Sequence, residues 1–400
     1  MHKRMKYYNT FINLTLGALI IFTGLGYTEN TFGSSILKYV AGFVLIIATI
    51  SSVKINNYKW IIYLILVMCV WPLILMMFGL YNIAMQQSIG YIFLFIYYLV
   101  LIICLSNYYA NNVINFITVW QVSLTGLLFS LLILYGGISL RLGYLLHLTL
   151  TNQRYGGNLL EQRYGMGFVN VNTLALFSML LIFCSCYQLY KRKRIALSFI
   201  DIVASIIFIL NAESRTPLIL IVILFLLFLI ENIKHKNLRI NIENIVLFIE
   251  IITTILFAVL FINGQGSSLY QNINEMSSSR LLYGTVAFKY LKLFGNVFFG
   301  VGPLNTSYIT GEIFHNMATL DNSIEYYVFT LGIVGTILVY SYLFYLFVKV
   351  NKSGSKMGFV TSTFYFIFSI FENAIFLPIS AVNLLCLTII FIILRNENSV

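Results

Sequence analysis

Charge is what this sequence has least of. Only 9% of its 400 residues are Asp, Glu, Lys or Arg, against roughly a quarter in a soluble domain. So few charges cannot cover a globule with hydrated groups, which excludes a soluble multidomain protein and makes lipid the solvent of the chain. Cysteine is also scarce. The five residues Cys69, Cys104, Cys184, Cys186 and Cys386 all lie in apolar runs, so they offer no disulfide at an outer surface and read as small apolar fillers. Histidine occurs four times, with no His-x-x-x-His pair and no carboxylate cluster beside it. No metal and no cofactor is therefore expected. Internal repeats and low-complexity segments are missing as well.

What the sequence has is apolar length. Hydrophobic residues make up 60% of it, and charge-poor runs occur at about 11–27, 36–53, 60–80, 89–106, 113–135, 168–190, 196–211, 217–231, 244–262, 326–348, 357–371 and 374–394. A hydrocarbon layer of ~30 Å takes about 20 helical residues. Strands of a membrane barrel would alternate and be about half as long. The expectation is an all-α, polytopic integral membrane protein with about twelve transmembrane helices, forming one membrane domain over 1–400. The first run lacks a small-residue cleavage site and is followed directly by further spans, so it reads as a span and not as a signal peptide.

The net charge of +11 would raise nucleic acid as a partner in a soluble protein. Here it reports orientation. With the N-terminus in the cytoplasm, sixteen basic residues fall inside, among them the Lys191–Arg194 run, and eight fall outside. Eight acids balance the outer eight, so the entire excess is inside and nucleic acid is not expected. Both termini are placed in the cytoplasm. Five of the eight outer cations are arginine (Arg141, Arg154, Arg163, Arg215 and Arg280), although lysine is the commoner base in the chain. A planar fork that stays charged when desolvated suits capture of phosphate.

Two outer segments, 136–167 and 263–325, are long enough to carry function. The runs 196–211 and 217–231 are short, and their connection Asn211-Ala-Glu-Ser-Arg-Thr-Pro217 would hold Arg215 recessed below the outer surface. Pro217 fits a first helical turn, with Thr216 as the expected N-cap. Asp201 and Glu250 lie within spans, where structural pairing and a transport-type role are both open.

Four pieces, in order, carry a resemblance. The first is Arg163-Tyr-Gly-Met-Gly-Phe-Val-Asn170-Val-Asn172-Thr-Leu-Ala175, and the second is Ser214-Arg215-Thr216. The third is Ser279-Arg280 followed by Phe299-Gly300-Val-Gly302-Pro303. The fourth is Asp321-Asn322, with Gly332-Ile-Val-Gly335 nine residues on. Together they resemble the motifs of the bacterial O-antigen ligase/polymerase superfamily, specifically its Wzy-type polysaccharide repeat-unit polymerases. The likeness covers about 163–340. Val171 stands where the family has proline, and Asp321 where it has histidine. His315-Asn316 is no substitute, because Tyr326 and not glycine lies at the required spacing.

The resemblance implies a GT-C-like membrane fold with a large outer loop between helices 9 and 10, in the bacterial cytoplasmic membrane. It implies a metal-independent, glycosyltransferase-type polymerase that joins undecaprenyl-diphosphate-linked oligosaccharide donor and acceptor. Membrane lipid surrounds it, and a flippase and a chain-length regulator are its implied partners. Arg163, Arg215 and Arg280 would hold the diphosphate, and Asp321 would act as general base. Asn172, Ser214, Gly300, Gly302 and Asn322 would support them. The product would be a capsule, exopolysaccharide or O-antigen. A ligase-type glycan transferase and a flippase or secondary transporter are the alternatives.

Overall fold

The computed structural model describes residues 2–31, 33–53, 59–81, 84–136, 164–233, 235–263, 268, 270–271, 274, 280–316, 319–320, 322–378 and 380–397. In chain order the helices are α1 (His2–Leu25), α2 (Ser34–Thr49), α3 (Lys59–Ile65), α4 (Trp71–Met77), α5 (Met85–Tyr108), α6 (Val113–Tyr135) and α7 (Val171–Tyr190). They continue with α8 (Ile195–Asn211), α9 (Arg215–Glu231), α10 (Lys236–Asn263), α11 (Arg280–Phe294) and α12 (Thr306–Tyr308). The last three are α13 (Ser323–Lys352), α14 (Lys356–Phe371) and α15 (Ala381–Glu397). A π turn at Leu66–Val70 joins α3 to α4, just ahead of Pro72, whose missing N–H a continuous helix would not tolerate.

Each of the twelve apolar runs lies on helix over most of its length. Among the described residues, seven helices are long and apolar enough to cross a membrane: Lys6–Leu25, Ser34–Ser52, Met85–Tyr108, Val113–Tyr135, Val171–Tyr190, Asn237–Ile262 and Ser323–Lys352. The other five runs fall on shorter apolar helices. On α10, Ile245, Phe248, Ile249, Ile252, Ile255, Leu256 and Val259 are all exposed. An apolar stripe of that length is not stable against water, and lipid is its natural solvent. The chain is an α-helical membrane protein.

The sequence reading expects one membrane domain; the chain divides into two compact units, Met1–Val53 with Ile103–Asn232, and Lys54–Ile102 with Ile233–Val400. In the first unit α7 is central. Its residues from Leu174 to Gln188 are almost all buried, with α6, α8 and α9 packed around it and α1 and α2 beyond α6. Small residues bring α1 close to α6. A Cβ on Gly17 would stand 2.9 Å from Ser123 Oγ, the tight approach that apolar helices use where lipid gives no hydrophobic drive to associate.

In the second unit α13 is central, packed by α10, α11, α14 and α15. Two features of this unit differ from the sequence reading. The outer segment 263–325 was expected to be a polar loop, yet it contains the fifteen-residue α11. The last apolar run was expected to be helical from 374, yet α15 begins at Ala381. The backbone between α14 and α15 is pinned by side chains instead. Ala374 and Ile375 donate to Ser323 Oγ at 3.0 and 3.2 Å, Phe376 donates to the Tyr365 hydroxyl at 2.8 Å, and the Tyr327 hydroxyl donates to the Ile375 carbonyl at 2.7 Å. Irregular backbone buried in an apolar setting persists only when its polar groups are satisfied in this way.

Candidate functional site

The first two motifs meet at one end of the first unit. Gly167 (φ 82°) and Met166 (φ 49°) turn the chain, and Gly167 has no room for a Cβ, which would stand 2.3 Å from the Tyr135 ring. The segment then pairs with the turn after α1, where Val169 donates to the Tyr27 carbonyl and Glu29 to the Gly167 carbonyl, each at 3.0 Å. Asn170 caps α7, its side chain accepting from the Asn172 amide at 2.9 Å. Asn172 is thus a half-buried residue of the first turn. The Asn211 side chain, at the end of α8, reaches the Tyr164 carbonyl at 3.5 Å. The neighbour of Arg163 and the approach to Arg215 are therefore in contact. Arg163 itself lies outside the described residues.

The second motif differs from expectation in its cap. The helix opens at Arg215, not after Thr216, so buried Ser214 takes the N-cap position and Pro217 the third helical position. Pro217 in the first turn removes an N–H that had no helical partner to lose. Glu213 turns the chain at φ 49°. Arg215 and Arg280 are placed by their backbones, Arg215 as the first residue of α9 and Arg280 as the first described residue of α11.

The third and fourth motifs form one object in the second unit. Helix α13 is broken at Gly332, whose φ of 69° and ψ of −175° belong to glycine alone. In an intact helix the amides of Ile333 and Val334 would bond the carbonyls of Phe329 and Thr330. The break frees all four groups, and the loop carrying Phe299-Gly300-Val301-Gly302 takes up every one. Val301 donates to the Phe329 carbonyl at 3.1 Å and Gly302 to the Thr330 carbonyl at 2.9 Å. Ile333 donates to the Val297 carbonyl and Val334 to the Phe298 carbonyl, both at 3.1 Å.

This contact is backbone on backbone, which is why it needs glycine on both sides. A Cβ on Gly300 would stand 2.3 Å from the Thr330 carbonyl oxygen, and one on Gly332 would stand 2.4 Å from the Phe298 backbone. From α5 and the turn before it, Tyr81 and Ser88 close the loop from another side. The Tyr81 hydroxyl donates to the Phe299 carbonyl at 2.6 Å, and a Cβ on Gly302 would meet Ser88 Oγ at 2.7 Å. Burial pushes the Tyr81 phenol above its ordinary value, so it keeps the proton it donates. Trp71 packs on Phe299 with ring centroids 5.9 Å apart.

Gly300 and Gly302 are supporting residues in the resemblance, where glycine would let backbone approach a phosphate or shape the loop. The amides of Gly300, Val301 and Gly302 are already spent on the carbonyls of Asn296, Phe329 and Thr330. Their part is to shape the loop.

The fourth motif opens α13. Asn322 is the N-cap, its Oδ1 accepting from the Ile324 amide at 2.6 Å while its Nδ2 donates to the Ile370 carbonyl at 2.9 Å. Asp321 lies outside the described residues. Gly284, one turn into α11 from Arg280, lies against α13, since a Cβ there would stand 2.7 Å from the Glu325 carboxyl carbon. Helices α11 and α13 are thus in contact near Arg280 and Asn322. Sequence reasoning did not find the break, Tyr81 or Ser88. The one available signal was a glycine pair inside an otherwise unbroken apolar run. Among the described residues no group of three or more His, Cys, Asp or Glu could hold a metal ion.

A scan against protein-family models finds no match to this chain, and a search of curated proteins finds none either.

Two substitutions test the joint. Gly332→Ala forces a side chain into a glycine-only conformation, at a cost of about 1–3 kcal/mol before the clash with Phe298 is relieved. The purified protein should melt at a lower temperature. Gly126→Ala, on α6 with open space around it, should not lower the melting temperature. Tyr81→Phe leaves the Phe299 carbonyl without its phenol donor, costing about 1–3 kcal/mol. Hydrogen exchange at Val301 and Gly302 should speed up, while exchange in α7 stays at the wild-type rate.

Proposed function

We propose that this protein joins polyprenyl-diphosphate-linked oligosaccharide repeat units into a surface polysaccharide at the outer face of the bacterial cytoplasmic membrane. In this reading all twelve apolar helices cross the membrane and both termini are cytoplasmic. The observation that carries it is the docking of Phe299-Gly-Val-Gly302 into the helix break at Gly332. Two motifs about thirty residues apart in the chain make one backbone unit, which supports their acting together. The contacts of Tyr164 with Asn211, and of Gly284 with Glu325, likewise bring the arginine-bearing segments beside their partner motifs.

The chemistry follows from charge. A hydroxyl oxygen of the acceptor unit attacks the anomeric carbon of the donor, and the carbon–oxygen bond to the diphosphate breaks. Its electron pair stays on the departing diphosphate, and the acceptor's proton passes to Asp321 as general base. Arg163, Arg215 and Arg280 would balance the charge that grows on the leaving oxygen, in a setting that water does not screen. Ser214 occupies the N-cap position ahead of Arg215, and the Asn322 side chain caps the helix that follows Asp321.

A second reading has one specific observation in its favour. Discontinuous helices such as α13 are a feature of secondary transporters, where they surround a substrate or ion. The two readings part in a simple assay. Purified protein supplied with lipid-linked repeat units should yield a ladder of lengthened chains, whereas a flippase or transporter moves substrate across liposomes and lengthens nothing. Transfer of finished glycan to a different acceptor would indicate a ligase.

Arg215→Ala or Arg280→Ala should slow elongation by about 10²–10³, the usual loss of one donor to a developing oxyanion. Arg215→Lys should recover little of it, since an ammonium cannot make the paired contact. Full polymerisation by either alanine variant at normal expression would remove the clamp, and a wild-type rate from Asp321→Asn across pH would remove the base.

A further inference from the structure

Within the first unit, three helices meet around a carboxyl group with no access to solvent. Asp201 on α8 is 0% exposed, as are Gln121 on α6, Ser185 on α7 and Ser198 on α8. Gln121 Nε2 lies 2.7 Å from Asp201 Oδ2, 3.2 Å from Ser198 Oγ and 3.5 Å from Ser185 Oγ. Thr125, one turn from Gln121 on α6, has its Oγ1 at 3.0 Å from Asp201 Oδ1 and 2.8 Å from the Gln121 carbonyl. The seam continues along the same faces of α6 and α7, where Gln188 Nε2 donates to Thr118 Oγ1 at 2.7 Å.

Among the described residues, no Lys, Arg or His forms an ion pair with Asp201. An isolated carboxylate on an apolar helix is among the costliest groups to bury, so its charge has to be neutralised. A proton on the carboxyl is compatible with the hydrogen bonds. Thr125 has one hydroxyl proton and two oxygens within bonding distance. If that proton goes to the Gln121 carbonyl one turn back, the contact with Asp201 Oδ1 requires a proton on the carboxyl. A metal cation would instead require oxygens turned inward, whereas the group nearest Oδ2 is the Gln121 amide N–H, and Gln121 Oε1 is left without a partner.

We propose that Asp201 is a proton-binding site within the membrane. Its carboxyl is neutral in the folded protein, donating to Thr125 and accepting from Gln121, which also donates to Ser185, so that the bound proton helps to join α6, α7 and α8. This rests on the geometry of the first unit alone and not on the proposed polymerase activity.

The full-length protein in detergent, at neutral pH and without any substrate, provides the test. Infrared spectroscopy should show a protonated-carboxyl C=O band that disappears in Asp201→Asn. Asparagine supplies the same donor and acceptor without the proton, so this variant should fold and melt within a few degrees of the wild type. Asp201→Ala, which strands Gln121 and Thr125, should melt clearly lower. Replacing sodium with potassium or choline should leave the wild-type melting temperature unchanged.

Three results would overturn the proposal. One is a wild-type spectrum in which no carboxyl band is lost on Asp201→Asn. Another is an Asp201→Asn protein that does not fold. The third is stabilisation of the wild type by sodium that vanishes in Asp201→Asn, which would make the ring a metal-cation site.

Discussion

Everything in the second unit hangs on the exchange of four backbone hydrogen bonds across the break at Gly332. In an apolar medium a lone amide or carbonyl costs several kcal/mol, so a helix cannot simply stop and restart in the middle of a buried bundle. The loop at 297–302 makes the break tolerable by supplying two donors and two acceptors in the register that the missing turn would have used. The dependence runs both ways. The loop has no regular structure of its own to satisfy those groups, and without α13 its amides would be as stranded as those of the helix. Glycine at 300 and at 332 is the geometric condition for both, because the two backbones approach too closely for any Cβ.

The first unit solves a related problem with side chains. Its helices are continuous, so the backbone needs no help, but α6, α7 and α8 place Gln121, Thr125, Ser185 and Asp201 on faces that are buried against one another. Each polar group becomes affordable only through the others. One unit spends backbone polarity at its centre and the other spends side-chain polarity. In both cases the polar groups are where apolar helices gain a defined register, which fatty contacts alone specify poorly.

The pattern of legibility follows from range. Helix positions could be read because a long apolar run is a local property, and each of the twelve runs lies on helix. Boundaries set by local caps were close, with Ser214 in place of Thr216 a shift of two residues. The misses are all non-local. The run 326–348 reads as one helix because its glycines break only when a loop thirty residues upstream is present to fill the gap. The segment 374–380 reads as helix because its apolar side chains are plain, while Ser323 and Tyr365, the groups that hold it irregular, lie on other helices. Helix α11 was hidden by Lys289 and Lys292, which made the segment look like a polar loop. Likewise Asp201 was visible as a buried acid, but its partner Gln121 is eighty residues away and carries no signal of its own.

The spent amides of Gly300, Val301 and Gly302 also constrain any chemistry at the site. Glycine-rich loops that bind phosphate do so by turning free N–H groups towards it, and this loop has turned those three towards protein carbonyls. Its backbone can position neighbours but adds little positive potential of its own. In the proposed reaction the charge of a leaving diphosphate would therefore fall to side chains, and arginine suits that by chemistry: a guanidinium stays protonated in an apolar setting where an ammonium readily gives up its proton. Under the proposed function, the internally satisfied loop would hold shape while arginine side chains would supply charge. On the proposed topology, that chemistry would fit a face where arginine is the commoner base, while lysine dominates the rest of the chain.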